Sequence, residues 1–520
     1  MFKSLSIIFF LLSMLNIYSQ NLTINDGGKM IVGEAVNVTI EGNLVLNNSE
    51  PVEIKNSSFI VKGTSSGTGK IKYTKTVPVG AYQYISSPVD GQTLSDFVNN
   101  TSIETGKNSS SHNKGLYYYD YSYDKWVKYS TVNTNKFDKF KSGQGWIVRL
   151  KDNSDGEDDI CFKGSFPEDN ITIDSYKDTQ VFHSGFLYDY IGNPYTSSIA
   201  VFKEDDNSAT FFEKNSDLLE EETLWIWDES LSLYSPTNKA SLTSLDDEDF
   251  YIEPAQGFFI KPKKNVDGSL SFNYNMQRRE IKSSDQEKSS SSRPEIKLMF
   301  TDGSSNKYTN IFYIEGTTTG FDNGYDSTIF DNGGDDFGIY THLVSDSQGD
   351  DYGIQSLPNS DYETMVVPVG FNATSSIQII ISAAIVNFPA GISVYLEDKE
   401  DSSFTLLDNS ATYTTTLSED INGIGRLYLH TTSSVLSTDK VALNNHLSIY
   451  TSSKENIRIS GVYNGVAKLR MYNILGKQVL NTSFEGNGLN DIALPKNISA
   501  GVYIVHLTTE SKIVTKKIMI

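Results

Sequence analysis

The fold of this chain shows most clearly in the run Ala467-Lys468-Leu469-Arg470-Met471-Tyr472-Asn473-Ile474-Leu475-Gly476-Lys477-Gln478-Val479. Apolar and polar residues alternate at its start, and a period of two predicts a strand with one buried face. The same alternation recurs in residues 456–459 and 502–507, and glycine-containing turn signals separate the runs. We therefore expect residues 441–520 to be a small β-domain that ends in an apolar, lysine-flanked strand.

Three short motifs occur in a fixed order in this region: residues 471–479, then Gly501-Val502-Tyr503-Ile504-Val505, then Lys516-Lys517-Ile518. Together they resemble the type A C-terminal sorting domain of the type IX secretion system of Bacteroidetes-type bacteria. The resemblance implies an address that carries a folded protein across the outer membrane, with the secretion machinery as partner. Asn473 stands where the family often has Asp. The implied sorting-motif residues are Tyr472, Gly476, Gly501, Tyr503, Lys516 and Lys517.

The composition favours an all-β protein. The 520 residues include 30 Tyr and 27 Phe, which suit pleated, half-buried surfaces. A formal net charge of −22 argues against a nucleic-acid partner, because neutralising phosphates needs clustered Lys and Arg. Cys161 is the single cysteine, so no internal disulfide can form, and we expect it to be a buried small apolar group.

The N-terminus predicts a secretory signal over residues 1–19. Lys3 supplies the positive start, and Leu5 to Leu15 form the apolar region. Ser19 is a small residue at the expected cleavage position, which leaves Gln20 as the first residue of the mature chain. No apolar run of about 20 residues occurs elsewhere, so we expect no transmembrane segment in the mature protein. The predicted location is the cell surface or the medium.

The rest of the chain predicts several β-sandwich-like domains in tandem. Residues 20–77 are dense in short alternating runs and predict a β-solenoid-like segment, which is too short to bury its own face and should pack on the next domain. Residues 281–294 form a serine-rich linker. Residues 295–440 predict a β-sandwich of eight to ten strands, including a hairpin from residues 394–398 and 404–407.

Residues 78–176 and 177–280 contain an internal duplication. Four landmarks of the first copy recur in the same order in the second, at offsets that drift slowly. Each pair is written with the first copy leading: Tyr84-Ile85-Ser86-Ser87-Pro88 and Tyr190-Ile191-Gly192-Asn193-Pro194; Leu116-Tyr117-Tyr118-Tyr119-Asp120 and Leu224-Trp225-Ile226-Trp227-Asp228; Gly143-Gln144-Gly145-Trp146-Ile147 and Ala255-Gln256-Gly257-Phe258-Phe259; Gly156 and Gly268.

Catalytic motifs are weak in this sequence. Gly63-Thr64-Ser65-Ser66-Gly67 matches G-x-S-x-G, but a nucleophile elbow needs a helix after the serine, and strands are predicted on both sides. No histidine pair has metal-ligand spacing. Two of the histidines, His430 and His506, lie on predicted strands, and we expect their side chains to be hydrogen-bonded or solvated. The six histidines are His112, His183, His342, His430, His446 and His506.

Acidic loops leave calcium open as an alternative, although we expect no cofactor. Asp322-Asn323-Gly324-Tyr325-Asp326 is followed by Asp331-Asn332-Gly333-Gly334-Asp335-Asp336 and by Asp350-Asp351. Calcium prefers six to eight oxygen ligands on a flexible loop, but the EF-hand spacing is absent and the alternative is a hydrophilic turn. Residues 155–159 and 246–249 are weaker acidic candidates.

An aromatic cluster lies in the first copy, and Trp225 and Trp227 lie in the corresponding region of the second copy. Exposed rings can stack on sugars, whereas core packing is the alternative that we favour for most of them. Alternation puts four tyrosines of the cluster on one strand face: Tyr117, Tyr119, Tyr121 and Tyr123. The cluster comprises Tyr117, Tyr118, Tyr119, Tyr121, Tyr123, Trp126 and Tyr129.

These features predict a secreted or cell-surface, non-enzymatic binding protein concerned with adhesion or matrix. Two alternatives stay open. One is carbohydrate binding through aromatic faces that include Tyr119 and Trp225, with surface glycans as partners. The other is an extracellular glycan or peptide hydrolase, because two carboxylates only need to lie ~5–9.5 Å apart in space. The ligand itself is not specified by any of these patterns.

Overall fold

The structure is a computed structural model in which β-strands supply nearly all regular structure, as the composition predicts. The chain separates into two compact units, residues 1–289 and 290–520. The residues that the structure describes are 16–105, 112–120, 125–131, 137–167, 170–174, 188–202, 210–229, 233–241, 250–263, 266, 268–279, 293–330, 336–345, 349–433, 448–453, 456–462, 465–486, 488–496, 498–499, 501–509 and 513–519.

The first unit begins with a short β-solenoid of three rungs. Its strands are β1 (Asn16–Ser19), β2 (Leu22–Ile24), β3 (Ile31–Val32), β4 (Asn37–Ile40), β5 (Leu44–Leu46), β6 (Val52–Lys55), β7 (Ser58–Val61), β8 (Ser65–Gly67) and β9 (Ile71–Pro78). Parallel pairing stacks every third strand, giving sheets β1-β4-β7, β2-β5-β8 and β3-β6-β9. Asn37 lies beside Asn16 and Ser58 beside Asn37, so a rung takes 21 residues in that sheet.

Asparagines close the turns of the solenoid. The backbone N–H of Asn43 donates to Oδ1 of Asn21 at 2.7 Å, and Oδ1 of Asn43 accepts from the N–H of Thr64 at 3.0 Å. Each amide side chain thus satisfies a backbone donor one rung further along, which the parallel ladder leaves unpaired at the corner. The frequent Asn of this segment is therefore a structural feature of its corners.

The first β-module follows the solenoid. Its elements are β10 (Tyr82–Ser86), α1 (Leu94–Asn100), β11 (Asn113–Asp120), β12 (Lys125–Ser130), β13 (Gly145–Arg149), β14 (Glu157–Gly164) and β15 (Asn170–Asp174). Thr93 caps α1 by accepting from the N–H of Asp96 at 3.0 Å. β14 pairs antiparallel with β9 along its whole length. Solenoid and module share one core, which confirms that the solenoid packs on the next domain.

The second β-module has a related set of elements: β16 (Asp189–Gly192), β17 (Ser198–Phe202), α2 (Phe211–Asn215), β18 (Leu219–Asp228), β19 (Leu233–Thr237), β20 (Phe250–Ile252), β21 (Gly257–Pro262), β22 (Ser269–Asn273) and β23 (Gln277–Arg278). Short 3-10 turns occur at Ser216–Leu218, Lys239–Ser241 and Tyr274–Met276. The main sheets of the modules are β10-β13-β11-β12 and β16-β21-β18-β19. Counted in chain order within each sheet, both place the first strand beside the fourth, followed by the second and the third. The internal duplication itself stays a prediction.

The two modules contact each other through corresponding residues. The N–H of Ser86 donates to the carbonyl of Ala255 at 3.1 Å, and the N–H of Gly192 donates to that of Gly143 at 2.9 Å. The rings of Tyr84 and Tyr190, which occupy matching landmarks, meet edge to face at 6.1 Å. Each module therefore gives the other the same kind of contact.

The second unit starts with a broad sheet built from β24 (Glu295–Thr301), β25 (Asn306–Ile314), β26 (Ser327–Thr328), β27 (Gly338–Thr341), β28 (Tyr352–Pro358), β29 (Val366–Ala373), β30 (Gln378–Val386), β31 (Ser393–Asp398), β32 (Ser403–Leu407), β33 (Thr412–Thr416) and β34 (Ile421–Thr432). Hydrogen bonds join these eleven strands into one sheet around one core. The sequence predicts eight to ten strands; the two-residue β26 is too short to show in a pattern. The predicted hairpin is the pair β31 and β32.

The chain closes with a small two-sheet domain, as the alternating runs predict. Its strands are β35 (Ser448–Ser453), β36 (Asn456–Val462), β37 (Val466–Asn473), β38 (Gln478–Glu485), β39 (Gly488–Ala493), β40 (Val502–Thr508) and β41 (Ile513–Met519). The sheets are β35-β36-β39 and β38-β37-β40-β41. Leu469, Met471, Val505 and Leu507 point from the second sheet into a shared core.

The close packing between the modules predicts that one added methyl group at Gly145 destabilises the protein. A Cβ on Gly145 would lie 2.3 Å from the buried ring of Tyr190, whereas one on Gly33 would meet nothing within 4 Å. We expect Gly145→Ala to lower the free energy of unfolding by about 1–3 kcal/mol through overpacking, and Gly33→Ala to leave it nearly unchanged. Denaturant unfolding of both variants checks this, and equal midpoints would contradict the close approach.

Candidate functional site

A cleft of about 660 Å³ opens where β10 of the first module meets the main sheet of the second. Tyr82 and Tyr84 come from β10, and Trp227 comes from β18. Tyr251 lies on β20. Consecutive residues of β10 and β18 line the cleft, so charged and amide side chains lie beside the aromatic ones. These polar residues are Lys75, Gln83, Asp228, Glu229, Glu253 and Gln256.

The aromatic wall of this junction cleft is held rigid. The indole of Trp227 stacks on the ring of Tyr84 with centroids 5.2 Å apart. The hydroxyl of Tyr234 donates to that of Tyr84 at 3.0 Å. Burial raises the pKa of Tyr84 to about 12, and burial also raises the pKa of Tyr234. Both hydroxyls therefore stay protonated and neutral at physiological pH, and the pair behaves as a fixed hydrogen-bonded unit.

A second wall of the cleft is polar. Nζ of Lys75 lies 3.0 Å from Oε2 of Glu253 and 3.4 Å from the carbonyl oxygen of Pro254. Oε1 of Gln256 accepts from the N–H of Glu253 at 3.0 Å. Carboxylates and amides at fixed positions can bind hydroxyl groups, because they combine acceptors and donors in planar arrangements.

The aromatic residues named from the sequence are mostly core. Trp225 is fully buried, and its ring meets Tyr188 at 5.0 Å. Tyr119 is 4% exposed and packs on Trp126 and Phe259. The alternative in which Tyr119 and Trp225 present sugar-binding faces is therefore wrong, because Phe259 of the second module covers Tyr119 and Trp225 is buried within its own module. Tyr118 and Tyr129 are buried as well, Tyr117 is half-buried, and Tyr121 and Tyr123 lie outside the described residues.

Sequence reasoning missed Tyr82 and Tyr251 as cleft residues. Tyr82 is 40% exposed. Tyr82 stands two residues before Tyr84 and Tyr251 directly follows Phe250, and the fold brings both beside Trp227. Alternation in Tyr82-Gln83-Tyr84 does place the two tyrosines on one strand face, and this was the one available signal.

The acidic loop near Asp326 is a hydrogen-bonded turn. Asp326 is fully buried; its Oδ2 accepts from the N–H of Asp322 and its Oδ1 from the N–H of Ser356, both at 2.6 Å. Oδ2 of Asp322 accepts in turn from the N–H of Thr318 at 2.6 Å. No cluster of three or more metal-ligating side chains occurs among the described residues. Calcium binding stays a prediction, and residues 331–335 and 246–249 lie outside the described part.

Most of the other serine, cysteine and histidine candidates lie on strands or next to single polar partners. Ser65 of the G-x-S-x-G match lies on β8, in a solenoid rung with no helix after it. Sγ of Cys161 is half-buried, 3.8 Å from Oγ1 of Thr74. Nε2 of His342 lies 2.7 Å from Oδ1 of Asp351, and Nδ1 of His506 lies 2.8 Å from Oγ1 of Thr515. His112 is exposed, and His183 and His446 are not among the described residues.

His430 belongs to a buried ionic network on β31 and β34. Its Nε2 lies 2.9 Å from Oε2 of Glu397, which also pairs with Lys399. Burial works to raise the pKa of Glu397, but the hydrogen bonds and charges of His430 and Lys399 outweigh it and hold that pKa below its usual value. The adjacent Asp398 is fully buried and pairs with Nη2 of Arg426 at 2.8 Å. Each buried charge thus has a partner, which is what allows it to remain buried.

The predicted sorting-motif residues build one hairpin tip and one strand edge. Oδ1 of Asn473 accepts from the N–H groups of Leu475 and Lys477 at 3.1 and 2.9 Å, and Gly476 supplies the left-handed φ of +78°. This is the closure that an Asp in the same place would give. The turn leaves Ile474 and Leu475 76% and 86% exposed.

The remaining motif residues hold the final strand. The hydroxyl of Tyr503 donates to the carbonyl of Ser499 at 2.6 Å, and Gly501 precedes β40. Lys516 pairs with Val505 and Lys517 with Ile504 in the β40–β41 ladder. At the other end, Ser19 closes β1 and Gln20 follows it exposed; cleavage between them stays a prediction.

Comparison with known proteins places most of the chain in one family. The family model described as "Domain of unknown function (DUF8693)" matches residues 10–426. This chain belongs to the DUF8693 family. No curated protein matches it. A solved structure described as "Biofilm associated protein - BSP domain" aligns over 87% of this chain and 90% of its own length at 10% identity, with a TM-score of 0.17, which is too low to show a shared fold.

The DUF8693 region is followed by a second match. The model described as "Secretion system C-terminal sorting domain" matches residues 446–520, which confirms the resemblance read from the motifs. The chain is a cargo of the type IX secretion system, exported to the cell surface or the extracellular space. Among the described residues, no helix has the length and apolar character needed to cross a membrane.

The turn at Asp326 generates a stability prediction. Asp326→Ala leaves the buried N–H of Ser356 and the half-buried N–H of Asp322 without their acceptor, so we expect the free energy of unfolding of its unit to fall by about 2–4 kcal/mol. Asp336→Ala, at an exposed position of the same acidic stretch, should change it little. Thermal unfolding with calcium and with chelator should give the same midpoint for the native chain. A calcium-dependent rise that Asp326→Ala abolishes would instead establish a metal site.

The final strand generates a prediction about export. Removing residues 516–520 deletes half of β41, including Ile518, which is 6% exposed. We expect the shortened protein to accumulate in the periplasm, measured by cell fractionation. The double variant Lys516→Ala, Lys517→Ala keeps the backbone pairing, so its behaviour separates loss of the strand from loss of the two charges. Surface delivery of the shortened protein would contradict the role of this strand in sorting.

Proposed function

We propose that this DUF8693 protein is a non-enzymatic cell-surface binding protein, and that its junction cleft takes carbohydrate. The observation that carries the proposal is the cleft itself, which combines Tyr82, Trp227 and Tyr251 with amide and carboxylate groups on an exported chain. Adhesion through surface glycans or matrix polysaccharides is the biological role that this site supports. The tandem modules would both descend from one duplication, as their shared strand order and matching contacts support.

Sugars fit such a site for physical reasons. The C–H face of a pyranose ring covers an aromatic ring without needing a polar partner, and a rigid aromatic side chain loses little conformational entropy on binding. The hydroxyl groups around the ring are both donors and acceptors, so they pair with carboxylates and amides such as Asp228 and Gln256. A cleft of mixed character and fixed geometry is what distinguishes a ligand site from a flat surface.

A glycan hydrolase is the second candidate, because Asp228, Glu229 and Glu253 all line the same cleft. We favour binding alone because Glu253 is engaged by Lys75 at 3.0 Å. Glu229, which follows β18, is exposed. A hydrolase needs two carboxylates facing each other across the substrate. Release of reducing ends from a bound oligosaccharide would decide for the hydrolase.

Glycan binding by the exported protein tests the proposal. On a glycan array, we expect the native chain to bind a subset of oligosaccharides, and Trp227→Ala to weaken that binding by about tenfold or more, since one ring-on-sugar contact is lost. Phe321→Ala is the matched control, because Phe321 is an exposed aromatic residue of the other unit.

Two outcomes contradict the proposal. One is that the native chain binds no glycan at all. The other is that Trp227→Ala keeps the native affinity while its thermal midpoint matches that of the native chain. Loss of binding together with loss of folding is resolved by Trp227→Phe, which retains an aromatic ring and should restore most of the affinity.

A further inference from the structure

A second cleft, of about 510 Å³, lies beside the first and has a different chemistry. Lys62, Arg278 and Arg279 bring three cationic side chains to it, and no carboxylate belongs to its described lining. Tyr251 lines this basic cleft as well as the junction cleft, so the two clefts are neighbours at this residue. Tyr274, which is 37% exposed, and Gln277 complete the lining with aromatic and amide groups.

Strand pairing fixes the basic groups in place. Arg278 lies on β23, which pairs with β17, and its carbonyl oxygen accepts from Oγ of Ser58 on β7 at 3.3 Å. Nη1 of Arg278 donates to the carbonyl of Asn275 at 2.8 Å, which orients the guanidinium. Lys62 directly follows β7. Arg279 likewise directly follows β23. The solenoid and the second module therefore bring their cations to one shared edge.

The charges are partly balanced within the protein. Oε2 of Glu41 lies 2.9 Å from Nζ of Lys62, and Oε1 of Glu41 lies 3.7 Å from Nη2 of Arg279. One carboxylate thus spans two cations, and both cations keep about two-fifths of their side-chain surface exposed, at 46% and 36%. The chain as a whole carries a net charge of −22, so a concave patch with this excess of positive charge opposes the general trend.

We propose that the basic cleft binds the anionic groups of an acidic polysaccharide, either sulfate or uronate carboxylate, whose neighbouring sugars occupy the junction cleft. This inference rests on the proposed glycan binding and specifies its class. Arg and Lys pair with sulfate and carboxylate oxygens through charge-assisted hydrogen bonds. The negative charge of the rest of the surface repels anionic polymers. An acidic polysaccharide is therefore expected to bind at the basic cleft.

Calorimetric titration of the full exported chain tests the proposal with three hexasaccharides: one neutral, one sulfated and one built from uronic acid. We expect an acidic ligand to bind at least about tenfold more tightly than the neutral one at low salt, and to lose that advantage as salt rises, because exposed charges are screened. The sulfated and uronate ligands separate the two sources of negative charge.

The double variant Lys62→Gln, Arg279→Gln should remove the preference for acidic ligands while binding of the neutral hexasaccharide stays unchanged. Arg278 is left intact because it holds the carbonyl of Asn275. The matched control is Lys72→Gln, Lys163→Gln, which removes the same charge from two residues paired across β9 and β14 that line neither described cleft. This control should retain the native preference.

The possible failures are distinct. If acidic and neutral ligands bind the native chain equally, or if the control removes the preference as fully as the test variant does, the proposed basic site is wrong and neutral glycan binding still stands. If acidic ligands bind through Lys62 and Arg279 while Trp227→Ala has no effect on any ligand, the basic site stands and the junction cleft fails. If no ligand binds, both fail.

Discussion

The contact between Tyr84 and Tyr190 is the interaction on which the first unit depends. These rings come from matching strands of the two modules, and glycine at Gly145 and Gly257 lets the ring of Tyr190 lie directly against two strands. Around them, Trp126 meets Tyr190 edge to face at 5.1 Å, and Tyr234 meets Phe259 edge to face at 5.1 Å. Aromatic packing of this density is rigid, so the cleft that opens at its margin has a fixed shape.

The same arrangement solves a problem of exposed strand edges. A three-rung solenoid leaves unpaired N–H and C=O groups on its last rung, and such edges promote aggregation. Here β14 of the first module pairs with β9. The N–H of Phe59 on β7 donates to the carbonyl of Thr196 in the second module at 2.9 Å. Both modules must therefore dock on the solenoid, and the basic cleft lies at the place where the second one does.

Some of the acidic and amide side chains accept backbone N–H groups at turns. Oδ1 of Asp302 accepts from the N–H groups of Ser304 and Ser305 at 2.8 and 2.7 Å, and these hydrogen bonds, that of Ser305 foremost, lower the pKa of Asp302. Asp326 and Asn473 act in the same way. A sequence rich in Asp, Asn and Gly resembles a calcium protein for this reason, since both uses need oxygen atoms on a tight turn. In this structure Asp302, Asp326 and Asn473 use those oxygen atoms to accept backbone N–H groups.

The sequence by itself determined the strand character of the chain and its export. Period-two alternation marks β36, β37 and β40 because one face of each is buried, and the motif residues Gly476, Tyr503 and Lys516 lie in local turns and ladders that need no distant partner. It also indicated related halves in residues 78–280, because corresponding strands need similar residues. Only the tertiary structure decided which aromatic side chains are covered: Trp225 and Trp227 are two residues apart on one strand, yet Trp225 is fully buried and Trp227 lines a cleft. Trp225 packs within its own module against Tyr188, whereas Trp227 stacks on Tyr84 of the first module at the margin of the cleft. Lys62 and Arg279, more than two hundred residues apart, are likewise brought to one carboxylate by docking. No local pattern records these contacts, because they join segments that are distant in the sequence.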